Sequence, residues 1–155
     1  MEAGTIAVTL EQVADYEFRV TFDPEMAPIT IDEGPPIGSG HGPSPARTLA
    51  AAVGGCLCAS LLFCLRKSRV EPRKITATVS NTVARNEANR LRIAEQRVRI
   101  VLDADADALA RSARCLELFE DFCTVTASVR NGIDVSIEVV DGTGRALRPT
   151  DGSAG

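Results

Sequence analysis

Five cysteines, at positions 56, 58, 64, 115 and 123, are the side chains best suited to chemistry in this chain. His41 is the one histidine. A lone histidine argues against a Cys/His zinc site and against Ser-His-Asp hydrolysis, and no metal is expected. Thiol chemistry is what remains. Cys56 follows Gly54-Gly55 inside a long apolar run. Glycine inside a helix costs about 1 kcal/mol relative to alanine, so the pair implies that another helix or a substrate reaches the backbone there. Cys123 follows an amphipathic segment and precedes a further short helical turn. At a helix N-terminus, free N–H groups stabilise a thiolate. Cys58, Cys64 and Cys115 read as packing cysteines, since free cysteine is among the most buried residue types. Cys58 points to roughly the opposite side of the helix from Cys56, whereas Cys64, two turns along, lies nearer its face.

A thiolate in apolar surroundings reacts poorly without a cation, because desolvation raises its pKa. Arg47 is the first candidate for that cation. It lies in the opening turn of the helix that carries Cys56, at the end where the helix dipole disfavours positive charge. The competing reading is a solvated helix start. Arg19 reads as a strand-surface residue, and His41 as an exposed residue of a Gly/Pro loop. The glycines of Gly38-Ser39-Gly40-His41-Gly42 follow no convincing strand and precede no Lys-Ser/Thr, so they make a poor phosphate cradle.

The elements that must position these residues are legible from periodicity. Thr5 to Leu10 and Tyr16 to Phe22 read as strands joined by a turn over Glu11 to Asp15, and Pro28 to Asp32 as a short third strand. Glu33 to Pro45 is a loop by composition. A helix opens at Ser44-Pro45 and runs to Leu65–Lys67, uncharged from Thr48 to Leu65 and closed by Arg66, Lys67 and Arg69. Its uncharged run is near the lower limit for a membrane span and is diluted by alanine and glycine, so a buried central helix is the expectation, with no membrane partner. Lys74 to Arg85 and Leu91 to Leu102 form a hairpin across Asn86 to Arg90. A second helix begins near Asp103 to Asp107 and carries Leu109, Ala113, Leu116, Phe119 and Phe122. Cys123 to Val129 is a short piece of open type, ended by Asn131-Gly132. Ile133 to Val140 alternates most cleanly of all. The order β-β-β-α-β-β-α-(α)-β is α+β with antiparallel sheets.

The chain has 155 residues, 45% of them hydrophobic and 25% charged, which suits one globular domain over 1–140 with a flexible tail over 141–155. A net charge of -4 and 4% aromatics argue against a nucleic-acid partner, and the basic cluster around Arg66 to Lys74 reads as solvated surface. The N-terminus lacks a basic and apolar leader, so a cytoplasmic setting with free thiols is expected.

Pro43-Ser44-Pro45, followed by Leu49 through Leu57 with Gly-Gly-Cys-Leu, resembles the signature of the OsmC/Ohr family, named for osmotically inducible protein C and organic hydroperoxide resistance protein. Phe122-Cys123-Thr124-Val125 and the element order resemble it too, over about residues 5 to 140. The resemblance, to the OsmC-like branch, implies an intertwined homodimer with its site at the subunit interface. It implies a thiol-dependent peroxidase in which Cys56 attacks an organic hydroperoxide and Cys123 resolves the sulfenic acid into a disulfide. An external dithiol or thiol would reduce that disulfide, with no cofactor. The family's first-turn glutamate is replaced by Ala46 and Arg47, no arginine stands between Glu11 and Asp15, and Thr124 replaces the usual proline. An alternative therefore stands beside the peroxidase: a catalytically weak dimer that binds small apolar ligands at its interface.

Overall fold

The computed structural model describes residues 4–23 and 26–147. Three strands, β1 (Val8–Ala14), β2 (Glu17–Phe22) and β3 (Ile29–Ile31), form an antiparallel meander in that order. Val8 faces Phe22, and Phe18 faces Ile31. The turn is shorter than the polar run Glu11 to Asp15 suggests. β1 continues to Ala14 through an irregularity after Gln12, whose amide donates to the Asp15 carbonyl at 2.8 Å.

The loop after β3 is organised by Asp32, which is buried. Its Oδ2 accepts the N–H groups of Ser39 and His41, each at 3.1 Å, and its own N–H donates to the Pro43 carbonyl. This closure delivers Ser44 and Pro45 to the start of α1 (Pro45–Lys67), the position expected for both.

α1 packs on a hairpin of β4 (Lys74–Arg85) and β5 (Leu91–Asp103). Ile75, Ala77 and Val79 turn partly inward from β4 while Thr76, Thr78 and Ser80 stay exposed, as their alternation predicts. Arg73 and Asp103 pair at the open end of the hairpin. The close approach that Gly54-Gly55 implies is, for Gly54, made by the chain's own sheet. A Cβ there would stand 2.8 Å from Val79 Cγ2, whereas Gly55 faces open space. Length and composition alone would let α1 cross a membrane. Its stripe of Val53, Leu57, Leu61 and Leu65 is nevertheless core, so α1 is the central helix of the fold.

Where one second helix is expected, the chain makes α2 (Ala106–Arg111), α3 (Ala113–Leu118) and a 3-10 turn (Phe119–Phe122), and the short piece of open type from Cys123 to Val129 is α4 (Thr124–Asn131). Asp105 caps α2 by accepting from the Ala108 N–H at 2.8 Å. The break falls at Ser112, whose hydroxyl donates back to the Ala108 carbonyl and competes with the helical ladder. α4 ends at Gly132, with φ 76, a value that favours glycine.

The core has two parts: Leu61, Leu65, Val70 and Cys115 in one, Val53, Leu57 and Cys123 in the other, with Phe119 packed against both. Here the free-thiol expectation needs correction, because Cys64 and Cys115 form a disulfide between α1 and α3. The two helices bring their Cα atoms to 5.8 Å, within bonding reach. Packing and bonding are both served by the same contact.

Ile133 to Val140 differs from expectation. It alternates in pattern but pairs with no strand among the described residues, and Ile133 and Val135 are 68% and 75% exposed. Alternation marks a segment able to be a strand; a ladder also needs a partner edge. Val140 alone bridges, to Ala146, across a turn in which the Asp141 carboxylate accepts the N–H groups of Thr143 and Arg145. Residues 141–147 of the expected tail are thus placed, and 148–155 lie outside the described residues.

Candidate functional site

The site is built where the middle of α1 meets the start of α4. Cys123 is the residue immediately before α4, fully buried, with backbone φ -86 and ψ 96. Its Sγ is hydrogen-bonded to Thr126 Oγ1 at 3.0 Å. Cys56, half-buried, projects from α1 beside the core residues Val53 and Leu57 and reaches the same point. The structure therefore brings together the two cysteines singled out in the sequence, across 67 residues of chain.

The two thiols share a hydrogen bond and titrate as a pair. Burial pushes Cys56 upward, and the bond to Cys123 pushes it further; the N–H groups of Val125 and Thr126 oppose this. Burial also opposes ionisation of Cys123. The donors around it outweigh that cost: Cys56, the hydroxyl and N–H of Thr126, and Ser60 together hold Cys123 below the ordinary thiol value. Of the two thiols, Cys123 is thus the one whose surroundings favour the thiolate.

Next to the pair lies a cavity of about 490 Å³. Val53, Leu57, Val98, Ile100 and Phe119 give it apolar walls, and Thr126 connects it to the thiols. Glu120 and Arg130 also line it and pair with one another at 2.6 Å. Sequence reasoning missed these last three residues. Thr126 carried a usable signal, three positions past a cysteine at a helix start, where free N–H groups and hydroxyls gather. Glu120 and Arg130 meet across the 3-10 break, which no periodicity reveals.

Arg47 is not brought to this site. Nine helical residues separate it from Cys56, a rotation of about 180°. It is exposed and lines a separate hollow with Gly54, Gly55 and Cys58, whose own thiol is pushed up by burial. Arg19 is exposed on β2, opposite Glu11 and Thr30. Exposed His41 has Nδ1 at 2.8 Å from a Glu17 carboxylate oxygen, and that hydrogen bond raises its pKa. Among the described residues Glu17, Asp32 and His41 form a grouping with cation-ligand spacing. Asp32 Oδ2 serves the loop backbone and Glu17 serves His41, while the buried Asp32 Oδ1 has no hydrogen-bond partner.

With this geometry in hand, comparison with known proteins is direct. Residues 38–138 match the family described as OsmC-like protein. No curated protein matches the chain. Among solved structures, an OsmC-like protein of unknown function from Vibrio cholerae has a TM-score of 0.71 at 13% identity, covering 81% of this chain and 94% of that one. An organic hydroperoxide resistance protein OsmC from Legionella pneumophila has a TM-score of 0.60 at 14% identity, covering 87% and 96%. The organic hydroperoxide resistance protein OhrB of Bacillus subtilis has a TM-score of 0.56 at 17% identity, covering 85% and 95%. At such identities the likeness shows a shared fold.

Proposed function

The chain belongs to the OsmC-like protein family, and we propose that it is a cytoplasmic thiol peroxidase that reduces organic hydroperoxides through Cys56 and Cys123. The observation that carries this reading is the meeting of those two thiols behind Val53, Leu57 and Thr126, which also line a cavity with mixed apolar and charged walls. Two proteins that share the fold are organic hydroperoxide resistance proteins, which agrees with it.

In this reading Cys123 replaces the missing arginine. Its thiolate takes the proton of Cys56 across their hydrogen bond, and the N–H groups of Val125 and Thr126 steady the Cys56 thiolate that results. That sulfur attacks the outer oxygen of ROOH. The O–O bond breaks, RO⁻ leaves with the proton from Cys123 as ROH, and Cys56 becomes a sulfenic acid. The Cys123 thiolate then attacks the Cys56 sulfur, closing a disulfide and expelling hydroxide, which takes a proton from the buffered solvent and leaves as water. Two electrons pass from the thiols to the peroxide. An external dithiol returns them, with no cofactor.

The same reading includes a homodimer. The strand-patterned segment 133–138 has no partner strand among the described residues, and Gly55 faces open space on α1. A second copy supplies both an edge and a surface. The alternative is a weakly reactive dimer whose interfacial cavity takes small apolar ligands. Arg47 facing away from Cys56 favours it. Peroxide consumption by wild-type protein and by Cys56→Ser separates the two. The peroxidase loses all turnover in the variant, while the binding module shows none in either protein.

A further inference from the structure

We propose that Cys64 and Cys115 form a second redox site, a disulfide that opens and closes by exchange with small dithiols and disulfides, independent of the Cys56–Cys123 pair. The spacing shows the arrangement. Cys56 and Cys64 are eight residues apart on α1, and Cys115 and Cys123 are eight apart on the helical segment that packs against it. The order is reversed, so the two pairs are rungs across one antiparallel contact, one in each part of the core. Eight residues of α-helix span about 12 Å, so the rungs cannot exchange with one another directly.

The two sulfurs of the second rung differ in access. Cys64 is half-buried, beside exposed Phe63 near the end of α1, while Cys115 is buried in the core. Exchange depends on access, so an incoming thiol or disulfide reaches the less buried sulfur first. Exchange therefore begins at Cys64. To close the rung, the Cys64 thiolate attacks a small disulfide RSSR, forming a mixed disulfide and releasing RS⁻. Cys115, having lost its proton, then attacks the Cys64 sulfur and releases the second RS⁻. Two protein thiols give up two electrons, and RSSR becomes two RSH after protonation. A dithiol runs the sequence backwards. Phe119 packs against both parts of the core, so closing this rung braces the segment that leads to Cys123.

The test uses the full chain with Cys56→Ser and Cys123→Ser, which leaves three thiols, at 58, 64 and 115. After reduction it is equilibrated with glutathione buffers, alkylated and weighed. The expected result is loss of two free thiols with rising oxidised glutathione and their full return with dithiothreitol under native conditions. Cys115→Ser in the same background should instead accumulate one glutathione on Cys64. If substitution at 56 and 123 prevents folding, wild type treated in the same way and sequenced by fragmentation assigns the 64–115 link separately from 56–123. Thiols that stay free in oxidised glutathione would overturn the proposal. So would a link that dithiothreitol opens only after denaturation.

Discussion

Thr126 helps hold the Cys123 thiol low, because it offers Cys123 both a hydroxyl and an N–H. Thr126→Val removes the hydroxyl and should therefore raise the Cys123 pKa. In the proposed mechanism the reactive form has lost one proton. Thiol loss to peroxide should rise with pH through a midpoint below the ordinary thiol value of 9.0 in wild type, and through a higher one in the variant. A pH–rate profile read by thiol alkylation checks this, and an unchanged midpoint would contradict it. His41 offers a simpler titration. The Glu17 carboxylate raises its pKa, so its single histidine NMR signal should titrate above 6.5 and fall back towards that value in Glu17→Gln. At the residue scale the sequence was readable for Cys56 and Cys123, because their glycine and helix-start contexts are local. The direction of Arg47 was not. It depends on which face of α1 the sheet covers, and α1 is apolar on nearly every side.

Among the elements, α1 is held to β4 by a glycine. Gly54→Leu drives a side chain into Val79, and overpacking of that kind costs typically about 1–3 kcal/mol. Denaturant unfolding should show that loss, while Gly55→Leu, in open space, should leave the folding stability of the isolated chain nearly unchanged. The link between α1 and α3 closes 51 residues of chain, which by loop entropy contributes about 4 kcal/mol. Reduction should lower unfolding stability by up to about that amount, measured with and without dithiothreitol. The hairpin β4–β5 and the start of α1 were legible because alternation, proline position and turn residues all agree there. The helical region after β5 was not, since Ser112 breaks it through a side-chain bond to Ala108 that no apolar stripe records. Cys64 and Cys115 looked like core for a sound reason, and they are core. Their bond depends on helix adjacency, a tertiary fact.

At the scale of the whole molecule, the fold is a central helix laid on an antiparallel hairpin, flanked by a separate meander and a helical segment, as the element order implies. The segment 133–140 is the exception: it alternates like a strand but pairs with no strand among the described residues. Light scattering should give twice the chain mass of 16.4 kDa, and a monomer would contradict the dimer. Substituting Asp for Val135, which is 75% exposed in the single chain, should weaken that assembly without unfolding the protein. The cavity walls also predict a substrate preference. Bulky organic hydroperoxides should oxidise the thiols faster than hydrogen peroxide, because Val53, Leu57, Val98, Ile100 and Phe119 offer apolar contact.

The central claim is that Cys56 and Cys123 act together on a peroxide. Reduced wild-type protein should be titrated with an organic hydroperoxide at neutral pH, alkylated and sequenced by mass spectrometry. The account predicts that one equivalent of peroxide produces a Cys56–Cys123 disulfide, and that Cys123→Ser stops instead at a sulfenic acid on Cys56 which over-oxidises in excess peroxide. Wild-type protein that keeps both thiols free over minutes would contradict the account and favour the ligand-binding dimer.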